Sequence, residues 1–146
     1  MAPVVVRGDE TILVVEDNHE VLAYSSSVLE ELGYRVLKAS SGAAALELLR
    51  SDDSIDLLFS DVVLAGGMSG TQLVDAAVIE RPDLRVLFTS GFARDGLEGA
   101  GRIDAAEIIG KPFTFTDLAA RIRGALASSR RRRAAWSNAR SAPRAG

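Results

Sequence analysis

Short apolar runs alternate along the chain with longer segments in which apolar residues recur at helical spacing. "TILVVE" (11–16) is β-branched and nearly continuous, the pattern of a buried strand. In "NHEVLAYSSSVLEELG" (18–33), Val21, Leu22, Val28, Leu29 and Leu32 repeat with helical period, and Gly33 supplies a C-terminal stop. The same alternation then predicts a strand in "YRVLKA" (34–39), a helix in "SSGAAALELLRS" (40–51) and a strand in "IDLLFS" (55–60). "GTQLVDAAVIERP" (70–82) reads as a helix closed by Pro82, and "LRVLFTS" (84–90) as the fourth strand. "GFARDGLEGAGRID" (91–104) is ambiguous, its glycines favouring at most a short helix. "AEIIG" (106–110) is the fifth strand, and "TFTDLAARIRGALASS" (114–129) a final helix with Thr114 as N-cap and Asp117 three residues on.

Strands alternating with helices predict a parallel sheet covered on both faces, hence a doubly wound α/β fold. In such folds ligands bind beyond the carboxyl ends of the strands, near the switch in strand order. The residues at those ends are therefore the candidate site. Glu16 and Asp17 follow the first strand and Asp61 the third; Thr89 and Ser90 end the fourth, and Lys111, then Pro112, follow the fifth.

Composition narrows the classes. Apolar residues are 47% and charged residues 25% of the 146, as in a globular domain with a sizeable core. The absence of cysteine excludes disulfides, thiol catalysis and Cys-based zinc sites. No apolar run reaches the length of a membrane helix, and "MAPVVVRGDE" lacks the basic start and long apolar stretch of a signal peptide, so a cytoplasmic location is expected. The net charge of −3 conceals an asymmetry: six of the 17 basic residues are arginines after Ser128, where there is no acid, so the remaining 11 face all 20 acids and Met1–Ala127 carries −9. The expected organisation is a leader (1–10), one domain (11–127) and a basic tail (128–146) that is solvated and disordered. An arginine-rich tail suits nucleic acid or an anionic membrane surface, but no helix-turn-helix or second core accompanies it, so nucleic-acid binding is not expected.

Three carboxylates at one sheet edge repel one another, and a hard divalent cation relieves this; Mg²⁺ takes oxygen ligands and typically combines one or two carboxylates with phosphate oxygens. Asp61 then serves both as ligand and as phosphoryl acceptor. Lys111 offers a point charge and Thr89 a hydroxyl donor to phosphoryl oxygens. Asp61 as a plain turn residue, Glu16–Asp17 as an N-terminal cap and Thr89 as an ordinary strand residue are the weaker alternatives. His19, the one histidine, reads as a solvated residue of the first helical turn, and "GGMSG" is weak as a phosphate loop because no Gly-Lys-Ser/Thr follows.

"ILVVEDN", Asp61 closing "DLLFSD", "LFTSG" and "GKPF", in that order, resemble the receiver domain of bacterial two-component response regulators over roughly residues 10–127. The resemblance implies a flavodoxin-like sheet of five parallel strands in order 2-1-3-4-5 with five helices. It implies Asp61 as phospho-acceptor, Asp17 as direct Mg²⁺ ligand, Glu16 as a ligand through water and the Val63 backbone carbonyl as a further ligand. Thr89 and Lys111 match the hydroxyl and the lysine that contact the phosphoryl group, and the Lys111–Pro112 bond is cis in many relatives. The implied partner is a histidine kinase or a histidine phosphotransfer protein. Three positions depart from the pattern: Ala65 replaces a usual proline, "LAGGMSG" is one residue longer than common, and Ile108 replaces an aromatic that often serves as a rotamer switch. The chain is closest in pattern to receivers of hybrid histidine kinases, so a C-terminal piece of such a kinase is one alternative. An aspartate-nucleophile phosphatase is another, disfavoured because Val63 stands where such enzymes carry their second aspartate.

Overall fold

The computed structural model describes residues 8–64, 67–91 and 108–127. The ambiguous segment from Phe92 to Asp104, Ala65, most of the leader and the basic tail lie outside the described residues. Five strands, β1 (Thr11–Val15), β2 (Arg35–Ala39), β3 (Ile55–Asp61), β4 (Arg85–Ser90) and β5 (Ile108–Gly110), form one parallel sheet in the order β2-β1-β3-β4-β5. Four helices are described: α1 (His19–Glu31), α2 (Gly42–Ser51), α3 (Gly70–Glu80) and α4 (Phe115–Ala127). The fifth helix implied by the resemblance falls in the stretch outside the described residues.

The period of two in "ILVV" sorts the core into two layers. Ile12 and Val14 join Leu57, Phe59 and Leu87 under α1 and α4, whereas Leu13 and Val15 join Leu58, Val86 and Phe88 under α2 and α3. β1 is buried throughout, and in β3 only Asp56 is not fully buried, as expected for central strands covered on both faces. Each fully buried Leu, Ile or Phe contributes about 1.5–3 kcal/mol, which makes these two layers the main source of stability.

Helix boundaries follow local chemistry. Asn18 accepts the Val21 N–H to cap α1, and Gly33, at φ +100°, ends it. Ser41 caps α2, and Ser69 and Gln72 form a reciprocal capping box on α3. Thr114 and Asp117 do the same ahead of α4, as the sequence predicts. Two strand ends differ from expectation. Glu16 lies just beyond β1, where its N–H still bonds to the Ala39 carbonyl. Asp61 belongs to β3 rather than following it, because its neighbour Val62 donates to the Thr89 carbonyl and so prolongs the ladder.

The register of β1 on β3 steps by one residue at its start: Thr11 pairs with Ile55, but Ile12 pairs with Leu57. Asp56, left out of the pairing, turns its carboxylate back to accept the Thr11 N–H at 2.9 Å.

Candidate functional site

The sheet delivers the predicted polar residues to one edge. Glu16 and Asp17 follow β1, Asp61 and Thr89 are paired across β3 and β4, and Lys111 follows β5, its N–H bonded to the Ser90 carbonyl at 2.8 Å. Lys111 Nζ donates to Glu16 Oε1 at 2.8 Å and to Asp61 Oδ2 at 2.9 Å. Glu16 Oε2 accepts the Asn18 N–H and Asp61 Oδ1 the Val63 N–H. One carboxylate oxygen from each of Glu16, Asp17 and Asp61 lies within 4.8 Å of the others. The Lys111–Pro112 peptide is cis.

Burial makes this arrangement electrostatically short of positive charge. Glu16 is 3% and Asp61 7% exposed. Burial pushes the Glu16 carboxyl above its ordinary range, and the Asp61 charge adds to that, so the hydrogen bonds from Lys111 and Asn18 do not offset it. Burial also acts to lower the Lys111 ammonium, but the hydrogen bonds and charges of Glu16 and Asp61 together outweigh it and hold Lys111 above its ordinary value. The Lys111 ammonium is thus shared by two buried carboxylates, Glu16 and Asp61, and the oxygens they gather with Asp17 fit a divalent cation. Thr89 Oγ1 is buried with no hydrogen-bond partner, an open donor beside Asp61 for which an incoming oxygen is a fitting acceptor.

Other predicted residues fall as follows. Val63 exposes its side chain, and its N–H reaches Asp61. His19 opens α1 and is exposed, consistent with a solvated role. Ile108 is buried in the layer under α2 and α3. "GGMSG" contains the α3 cap rather than a phosphate cradle: Ser69 caps, and Gly70 begins the helix against Asp61. Sequence reasoning missed how close that approach is. A Cβ on Gly70 would lie 2.0 Å from the Asp61 carbonyl oxygen, and the Gly70 N–H donates to Val62 at 2.8 Å. A glycine directly after a cap residue was the available signal.

The family model of the response regulator receiver domain matches residues 12–123. The chain belongs to the response regulator receiver family. The receiver is 33% identical over 108 residues to the response regulator receiver protein CpdR of Brucella abortus, covering 73% of this chain and 88% of that one. It is also 33% identical over 118 residues to the sensor kinase CckA of the same organism, covering 80% of this chain but only 12% of the kinase. Among solved structures, a response regulator receiver protein from Sinorhizobium medicae WSM419 superposes with a TM-score of 0.72 at 30% identity, covering 81% of this chain and 94% of that one. The five-stranded order seen here is thus that of a receiver, a module of two-component signalling. Among the described residues no helix is long and apolar enough to cross a membrane.

Proposed function

We propose that this receiver accepts a phosphoryl group on Asp61 from a phosphohistidine of a histidine kinase or a histidine phosphotransfer protein, and that the acylphosphate changes its affinity for a downstream protein. The observation that carries the reading is the convergence of Lys111 Nζ on Glu16 and Asp61 beside the Asp17 carboxylate. Mg²⁺ would be held by Asp17, Asp61 and the Val63 carbonyl, with Glu16 acting through water; it supplies charge neutralisation in a loose transition state. An Asp61 carboxylate oxygen attacks phosphorus, the O–P bond forms, and the P–N bond to the donor imidazole breaks; its electron pair returns to the ring nitrogen, and the imidazole leaves neutral with its proton on the other ring nitrogen. Thr89 Oγ1 donates to one phosphoryl oxygen. Lys111 keeps its charge throughout and exchanges part of its bonding from Asp61 to another phosphoryl oxygen. The reaction is a single self-phosphorylation rather than turnover of an external substrate.

The domain is assigned to residues 11–127, with 1–10 as leader and 128–146 as a basic tail. The likeness to CckA supports a second reading of context, a receiver joined to a histidine kinase, with the same site chemistry. The test is intact-mass measurement after exposure to Mg²⁺ and acetyl phosphate. The wild type gains one phosphoryl group, and Asp61→Asn gains none; equal labelling of the two would refute Asp61 as acceptor.

A further inference from the structure

Gly42 opens α2, and a Cβ built on it would lie 2.7 Å from Met68 Sδ and 3.0 Å from Met68 Cγ. The Met68 side chain therefore fills the notch left by the missing methyl. Gly42 is buried, and Met68 is half-buried, packed on the apolar layer under α2 and α3. Gly67, immediately before, sits at φ +108° with open space around its Cβ position, so what it supplies is backbone direction.

This contact closes a ring around the acidic site. The Glu16 N–H bonds to Ala39 at the end of β2, two residues before the Ser41 cap of α2. Met68 then joins α2 to the β3–α3 connection. Gly70 returns the chain to Asp61 through its hydrogen bond to Val62 and its close approach to the Asp61 carbonyl. Lys111 completes the circuit between Asp61 and Glu16. Of these links, the one between Met68 and Gly42 is purely apolar, and a single side chain opens or overfills it.

We propose that Met68, seated against Gly42, is a positioning residue that holds the β3–α3 connection at a set distance from the β2–α2 corner, and thereby sets the affinity of the Glu16–Asp17–Asp61 cluster for a divalent cation. The inference rests on the receiver reading of that cluster. An unbranched thioether suits the task, because it reaches into a narrow notch and adapts to its walls. A side chain acting only as core filler would lower stability when cut back and leave the cation affinity of the folded protein unchanged. The two roles are thus separable.

The experiment is calorimetric Mg²⁺ titration and thermal unfolding of the full chain, with acetyl phosphate labelling alongside. Met68→Ala and Gly42→Ala each weaken Mg²⁺ binding by about tenfold, the scale seen when groups supporting metal ligands are disturbed. Met68→Leu, which still fills the notch, stays within about twofold of the wild type, a change below the usual cost of such a swap. Gly42→Ala with Met68→Ala binds Mg²⁺ better than additive losses require, because the added methyl occupies the emptied space. Val78→Ala, in the same layer near the far end of α3, lowers the melting temperature but not the affinity. Unchanged Mg²⁺ affinity in both single variants, with melting temperature lowered, overturns the proposal. Should Met68→Ala not fold, Gly42→Ala decides alone. A labelled wild type with variants of equal affinity refutes the positioning role only, whereas a wild type that neither binds Mg²⁺ nor takes a phosphoryl group refutes the receiver reading beneath it.

Discussion

The two edges of the sheet use charge in opposite ways. At the edge where the strands begin, charges are paired singly and face solvent. Arg35 meets Asp52, Arg50 grips Glu80 through three contacts, and Arg123 of α4 meets Glu10. Arg81 donates to the carbonyls of Asp52, Asp53 and Ile55, tying the end of α3 to the turn that enters β3. At the edge where the strands end, the acids are clustered, and Glu16 and Asp61 are buried and share one lysine. Balanced, exposed pairs each add little and tolerate loss. A buried cluster with a charge deficit is costly to hold unless something else binds there. The first edge is built for holding the fold, and the second keeps an imbalance that a cation and a phosphoryl group can use.

The contrast is broken most severely at Lys111. Lys111→Ala leaves buried carboxylates without their cation and should cost about 3 kcal/mol or more. Added Mg²⁺ should then raise the melting temperature of this variant more than that of the wild type, since ligand binding to the folded state alone stabilises by mass action. Equal shifts in the two proteins would mean that Lys111 does not compete for the same charge. Asp61→Asn, which removes a charge from the oversupplied side, should by contrast melt no lower than the wild type.

Gly70→Ala tests the same edge sterically. The new methyl would meet backbone, not a flexible side chain, at 2.0 Å. Overpacking of this kind costs about 1–3 kcal/mol, roughly 4–12 °C in melting temperature for a domain of this size. Acetyl phosphate labelling should slow as well, because the displaced atom is the Asp61 carbonyl.

Effects at the opposite edge are smaller and leave labelling intact. Arg81→Ala removes the donor from three carbonyls and should cost about 1–2 kcal/mol, read by chemical denaturation with unchanged phosphorylation rate. The smallest effect is the pH dependence of the Glu10–Arg123 pair. The hydrogen bond from Arg123 holds the Glu10 carboxyl below its ordinary value. Its contribution is therefore fully present above the unfolded value and disappears as pH falls through the lower, folded one. With both side chains partly in solvent, about 0.5 kcal/mol is at stake. Denaturation of the wild type and Glu10→Gln should differ by this amount at neutral pH and converge in acid.

Much of this molecule was readable from local pattern. The alternation in "ILVV" separates the two apolar layers, and the residues after each strand identify the site, because a parallel sheet brings every strand's carboxyl end to one edge. Thr114 and Asp117 announce their own helix. The unread part consists of contacts between residues distant in sequence. Nothing local says that Met68 will rest on Gly42, that Arg81 will reach back to the carbonyls before β3, or that Gly70 must pass under Asp61. Those depend on how helices seat on the sheet. "GGMSG" looked like a weak phosphate loop because glycine signals close approach without saying to what.

The step in register at Asp56 has a further consequence. Had Thr11 and Ile55 set an unbroken ladder, Val15 would stand opposite Phe59, and Glu16 would come level with Ser60. With Asp56 left out of the count, Val15 pairs with Ser60, and Glu16 and Asp61 arrive level. Successive side chains in a strand point to opposite faces, so the phase of the whole strand is decided five residues before the carboxylate it delivers. Asp56 touches no part of the site, yet it works like a leap day in a calendar: one uncounted position early on keeps two later dates aligned, and pairing it into the ladder would place a serine hydroxyl where the acid is due.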